Sequence, residues 1–160
     1  MIRMIAAVDA KLGVANEHGI PWAGKIPLDT KYFQDQTTDG VIVMGFQTYT
    51  EFDHPLHNRE NFVATHGTEA LRAGFVGVPD LTEFFDEHAS ELVWVIGGAG
   101  LFAASLGQAE QLFLTHLDED FHCTKFFPNY VDTFELVSEL GPHVQSGISF
   151  TFQTWQRASA

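Results

Sequence analysis

The chain of 160 residues holds one cysteine, Cys123, so it can close no internal disulfide. Cations are scarce: 8 lysines and arginines stand against 21 aspartates and glutamates, a formal charge of −13. That balance argues against a nucleic-acid surface or an anionic membrane as partner, and the acid excess serves solubility. No apolar run approaches the ~20 residues of a membrane-spanning helix. Met1–Val8 is apolar apart from Arg3, but Asp9 and Lys11 end it too early for a secretory leader. There is no linker, internal repeat or low-complexity tract. The expectation is one cytoplasmic domain over residues 1–160, with an adequate core from a 45% hydrophobic composition.

What is present is organised around Gly19 to Thr37. Gly19, Pro21, Gly24 and Pro27 are closely spaced breakers and predict a loop. Pro27 suits a first helical position, and a helix follows on which Asp29, Tyr32, Phe33 and Gln36 share one face. A carboxylate beside two aromatic rings, with Trp22 just upstream, is an unusual grouping. In an apolar pocket such an acid either shifts its pKa upward or pairs with a buried donor. The plainer reading is a solvent-facing acid that complements the dipole at a helix start.

Elsewhere, apolar runs predict strands at Ile2–Val8, Val41–Met44, Asn61–Ala64, Phe75–Val78, Leu92–Ile96 and Gln111–Leu117, with Gly45 breaking the second. Gly13 to Ile20 reads as a glycine-punctuated loop, Gln47 to Phe52 as a short helix, and Asp80-Leu-Thr-Glu83 as the capping box of a helix to about His88. After Leu92–Ile96, the run Gly97-Gly98-Ala99-Gly100 leads into a helical Leu101–Ala104. Strand, glycine turn and helix start form a geometry that admits a pyrophosphate, though such turns are as often purely structural. The last strands, around Phe134–Ser138 and Ser149–Gln156, suggest an antiparallel edge. The whole predicts an α/β fold: a mostly parallel twisted central sheet with an antiparallel C-terminal edge hairpin and helices on both faces.

Several motifs in chain order resemble the dihydrofolate reductase family. Ile20-Pro21-Trp22, Pro27-Leu28-Asp29, Phe33 and Thr37 are similar to its substrate loop and first helix, with a longer interval between Trp22 and Asp29. Met44-Gly45-x-x-Thr48-Tyr49 matches in part, with Phe46 where an arginine is usual. Pro55-Leu56-x-x-Arg59-x-Asn61, Val95-Ile96-Gly97-Gly98 and Phe126-Phe127-Pro128 follow. Ala15 replaces a habitual glycine, and Phe102 stands where a tyrosine is common.

The resemblance implies reduction of 7,8-dihydrofolate to 5,6,7,8-tetrahydrofolate by hydride transfer from NADPH. It implies that Asp29 binds the pterin and favours its protonation, that Trp22 regulates water entry, and that Thr115 supports Asp29. Ile5, Ala6, Phe33, Phe52, Leu56 and Ile96 would enclose the substrate, and Arg59 would hold its carboxylate. Ala7, Ala15, Ile20, Gly45, Phe46, Gln47, Thr48, Thr65 and His66 would line the cofactor, with Ile96, Gly97, Gly98, Ala99, Gly100, Leu101 and Phe102. No metal is expected. With Phe46 in place of an arginine, NADH becomes possible and the NADPH preference weak. A monomer that also binds antifolates is the expected form. Two rivals are another pterin reductase of the same fold and a pterin-binding protein that no longer turns over; decay of NADPH absorbance with dihydrofolate separates enzyme from binder.

Overall fold

The computed structural model describes residues 1–67 and 70–159. Seven strands, β1 (Ile2–Val8), β3 (Val41–Gly45), β4 (Glu60–Ala64), β5 (Phe75–Val78), β6 (Val93–Val95), β7 (Gln111–Leu117) and β10 (Ile148–Arg157), join β9 (Phe134–Gln145) in one sheet. Its order is β5-β4-β3-β6-β1-β7-β10-β9, parallel from β5 to β7 and antiparallel beyond. Among the described residues, four α-helices accompany it, α1 (Pro27–Thr37), α2 (Phe46–Thr50), α3 (Leu81–Glu87) and α4 (Ala99–Ser105), the last followed by a 3₁₀ turn (Leu106–Gln108).

Strands buried on both faces need apolar residues at every position, and β3 and β6 have them. Val41, Val43, Val93 and Val95 pack with Phe84 and Phe85 of α3 and Leu101 and Phe102 of α4. The alternate residues Ile42, Met44 and Trp94 pack with Tyr32 and Phe33 of α1 and Tyr49 of α2. Helices therefore cover both faces. A third cluster joins Trp22 and Ile26 to Leu117, Cys123, Ile148, Phe150 and Phe152, seating the loop before α1 against the antiparallel end.

Strand β7 runs over the residues its apolar pattern predicts. Three expectations need correction. Gly45 closes β3 instead of breaking it, because it still pairs in register with Ala64 of β4. The stretch from Gly13 is not loop throughout: β2 (Gly13–Ala15) pairs antiparallel with β8 (Lys125–Phe126), a separate two-stranded sheet. β9 extends seven residues past Ser138 to Gln145, since β10 is there to pair with it.

That small sheet rests on Asp9, which is fully buried at the end of β1. Asp9 Oδ1 accepts the N–H groups of Lys11 at 2.9 Å and Gly13 at 2.7 Å, and Oδ2 accepts that of Phe121 at 3.0 Å. Burial alone would raise its pKa. The three backbone donors and the Cys123 thiol outweigh burial and hold it below the usual carboxylate value. Gly13 lies against the same group: a Cβ there would sit 2.4 Å from Cys123 Cβ and 2.9 Å from Asp9 Oδ1. Gly13→Ala is therefore expected to lower the melting temperature, with an overpacking cost of about 1–3 kcal/mol. An unchanged melting curve would show that the β2–β8 layer relaxes freely.

Candidate active site

Parallel α/β sheets bind ligands beyond the carboxyl ends of strands where successive connections part. Here β3 leads through α2 outward to β4, while β6 leads through α4 the other way, past β1, to β7. The parting point lies between β3 and β6, whose ends carry Gly45-Phe46-Gln47-Thr48 and Ile96-Gly97-Gly98. The Gly97–Gly98 peptide is cis. A Cβ on Gly98 would meet Thr48 Oγ1 at 3.5 Å and one on Gly97 would meet Phe102 at 3.4 Å, both ordinary contacts, while the Gly97 φ of 123° is what calls for glycine. Beyond Gly98 the space is open, and a Cβ on Gly100 meets nothing within 4 Å. Bare backbone with one hydroxyl therefore lines this crevice. Leu101 and Phe102 lie behind it in the core, Phe102 packed on Phe127 with ring centroids 5.0 Å apart. Phe46 and Ile20 are exposed, while Ala7 and Ala15 are half-buried near the first strand's end.

A separate cleft of about 260 Å³ lies over the ends of β4 and β5, lined by Thr65, Gly67, Leu71, Phe75, Gly77 and Pro79. His66 is exposed in the same segment. Arg72 is the nearest arginine in sequence, but it is engaged elsewhere. Its guanidinium lies 4.1 Å from the Tyr49 ring centroid and donates to the carbonyls of Tyr49 and Phe52.

On the other side of β6, α1 brings the carboxylate. Pro27 opens the helix, as its fixed φ and missing N–H allow. Asp29 is half-buried, and Thr115 of β7 donates its hydroxyl to Asp29 Oδ1 at 2.5 Å. Burial pushes the Asp29 pKa up, and the Thr115 hydrogen bond only partly offsets it. Among the described residues no cation pairs with it. Asp29 is thus neither fully solvated nor fully buried, and its one protein donor is the Thr115 hydroxyl. Tyr32 stacks on Phe152, with centroids 4.1 Å apart and planes at 16°. Trp22 is buried, edge-on to Phe121 at 5.1 Å. Ile5, Phe33, Phe52, Leu56 and Ile96 fall in one apolar cluster, while Ala6 packs on the opposite one.

Arg59 stands at the far end of that wall. Its Nη1 donates to Thr37 Oγ1 at 3.0 Å, Nη2 to Gln34 Oε1 at 2.7 Å and Nε to the His57 carbonyl at 2.8 Å. All three acceptors are neutral. In a chain with 21 acids, no described carboxylate pairs with it, and partial burial pulls its pKa down. A cleft of about 640 Å³ lies along the Arg59 loop, from His54 to Asn61. Two contributors escaped the sequence reading. Asp9 has a local signal, an aspartate at a strand end, whose carboxylate can accept the N–H two residues on, as it does from Lys11. Gln145, described below, has none.

A glycine turn at a strand parting point, near an acid without a cation partner, marks the ligand-binding end of an α/β sheet protein. Residues 1–157 match the family model described as dihydrofolate reductase. The dihydrofolate reductase of Bacillus subtilis (strain 168) is 31% identical over 140 residues, 86% of this chain and 82% of that one. The dihydrofolate reductase type A13 of Escherichia coli is 32% identical over 161 residues, 98% and 94% of the two chains. Among solved structures, dihydrofolate reductase from Enterococcus faecalis complexed with NADP(H) and RAB-propyl aligns with a TM-score of 0.90. It shares 23% identity and covers 99% of this chain and 97% of its own. The chain belongs to the dihydrofolate reductase family.

Proposed function

We propose that this protein reduces 7,8-dihydrofolate to 5,6,7,8-tetrahydrofolate with hydride taken from NADPH. The observation that carries the reading is the Asp29 carboxylate, half-buried, braced by Thr115 and without a cation partner among the described residues. Its second oxygen has no protein partner among the hydrogen bonds of the described residues, so a ligand can take it. An amino group and a ring N–H of the pterin supply paired donors for such a carboxylate, which fixes the face of the ring presented to the crevice. The charge also favours a protonated substrate imine, with water as the immediate proton donor.

The crevice residues fit a dinucleotide. Gly97 and Gly98 keep the backbone bare beside Thr48, where side chains would obstruct a phosphate. When bound, the reduced nicotinamide supplies the hydride. Ile5, Phe33, Phe52, Leu56 and Ile96 exclude water from the pterin, Trp22 closes the loop side, and Ala6, whose side chain packs on the other cluster, can contribute only through its backbone. Arg59 takes the carboxylate of the tail. Gly45 to Thr48, Ile96 to Gly100, Ala7, Ala15 and Ile20 line the nicotinamide and phosphates, backed by the buried Leu101 and Phe102, with Thr65 and His66 toward the adenosine. The same reading takes residues 1–160 as one domain, a cytoplasmic monomer without a nucleic-acid partner, whose pterin cleft accepts antifolates. No helix of the described residues is long and apolar enough to cross a membrane.

The decisive experiment is the loss of near-ultraviolet absorbance from NADPH in the presence of dihydrofolate. Decay at a rate proportional to enzyme supports the reading; no decay, with dihydrofolate still bound, leaves a pterin-binding protein.

Cofactor choice follows from the outer cleft. A ribose phosphate there meets the Thr65 hydroxyl and the neighbouring His66, while Arg72 is pinned to Tyr49 and Phe52. Thr68 and Glu69 lie outside the described residues, and neither is a cation. Each missing charge-assisted hydrogen bond forgoes about 1.5–3 kcal/mol. Dissociation constants for NADPH and NADH, read by quenching of tryptophan emission, are expected to differ by less than about tenfold. A ratio above about a hundredfold would show that another cation holds the phosphate.

A further inference from the structure

The first turn of α1 lacks its own cap. Ile26 occupies the N-cap position and offers no side-chain acceptor, and Pro27 after it has no N–H. The first free donor is the Leu28 N–H, one residue before Asp29. It is met from 117 residues away: Gln145 Oε1 accepts it at 2.9 Å. Gln145 ends β9 at the tip of the C-terminal hairpin, where Ser146 and Gly147 adopt φ of 52° and 74°. Positive φ at both central residues makes the tight two-residue turn that twisted strands prefer. Beside it, Ser146 Oγ donates to the Lys25 carbonyl at 2.7 Å. Two consecutive hairpin residues thus grip the segment that leads into α1.

The grip bears on the neighbouring carboxylate. An acid in the first turn of a helix is drawn to that turn's unsatisfied N–H groups. Asp29 is such an acid, yet its Oδ1 is turned to Thr115. Gln145 occupies the competing donor, and being neutral it adds no charge beside Asp29. We propose that Gln145 is a positioning residue for the reaction, a cap supplied by the β9–β10 hairpin that leaves the Asp29 carboxylate free to face the substrate. The proposal rests on the reading of Asp29 as the substrate-binding acid.

The groups around Asp29 are few. Thr115 faces it from β7, and the Tyr32 phenol, linked to Thr154 of β10, lies one turn along α1. His143 of β9 lies against Phe152, behind Tyr32, and Lys25 offers the segment only its carbonyl.

The test uses the full chain with Gln145→Ala and Gln145→Glu, reading amide exchange at Leu28, kcat and KM, the pH profile and the melting temperature. Gln145→Ala is expected to speed Leu28 exchange and lower kcat at neutral pH by about 3- to 10-fold, the scale of one lost cap. KM for the cofactor should not change. The acid limb of its profile should move to lower pH, because the freed N–H stabilises the Asp29 charge. Gln145→Glu keeps the acceptor, so it should restore Leu28 protection while moving the acid limb to higher pH by like charge. Opposite shifts from the two substitutions are outside the reach of a merely structural contact. Faster Leu28 exchange in Gln145→Ala with unchanged kcat and pH profile would overturn the proposal, and so would unchanged exchange. Wild-type turnover in Asp29→Asn would instead overturn the reading beneath it.

Discussion

Asp29→Asn is expected to retain the fold and lose turnover at neutral pH by about 10²- to 10⁴-fold, the range general acid–base groups contribute. The amide keeps a partner for Thr115 but carries no charge to favour a protonated substrate, and it cannot accept both pterin donors. Part of the loss should return in acid, where more of the substrate arrives protonated. The same substitution should stabilise the protein. Burial raises the Asp29 pKa, so the native state holds that proton more tightly than the unfolded chain does. The stability tied to this proton is present below the unfolded carboxylate value and is lost as pH rises through the raised native value. The asparagine variant is spared that loss, so its melting temperature should exceed that of the parent at neutral pH and match it in acid. Steady-state rates and melting curves across pH check both parts. Wild-type-like turnover at neutral pH would remove Asp29 from the mechanism, and a melting advantage independent of pH would remove the burial argument.

Arg59→Leu is the second large effect. KM for dihydrofolate should rise by about 10- to 100-fold, equivalent to one charge-assisted pair of about 1.5–3 kcal/mol. Because the contact is remote from the reacting carbon, kcat should change little. A dihydropterin without the glutamate tail should be reduced equally well by parent and variant. Arg59→Lys should recover little, since one ammonium cannot present a fork while also satisfying Thr37 and Gln34. Equal losses with both substrates would mean that Arg59 serves the fold and not the tail.

The legible parts of this protein are those with local causes. β1 and β7 show as short apolar runs because a central parallel strand is buried on both faces, and α1 shows through Pro27 and the spacing of Asp29, Tyr32 and Phe33. Asp29 and Trp22 could be chosen because a carboxylate among aromatic rings is unusual in any context. The invisible parts are long-range pairings. β8 is two exposed residues with no pattern, and it is a strand only because β2 lies beside it. Gln145 has the composition of any hairpin end, and its meaning comes from a helix start it meets across the fold. Arg72 and Arg59 look alike in sequence and neither pairs with an acid, yet Arg72 folds back over Tyr49 while Arg59 bridges to Thr37 and Gln34 of α1 beside a cleft.

The chain's one thiol is placed where reagents do not reach. Cys123 is buried against Gly13 and Asp9, and burial first, then the Asp9 charge, push its pKa up to about 11. Only the thiolate is nucleophilic, so maleimides and disulfide reagents find almost nothing to attack in the folded protein. A cysteine introduced on the surface is expected to take a fluorophore or spin label far faster than the native one. Slow labelling of the unmodified chain, in turn, clocks how often the β2–β8 layer comes apart.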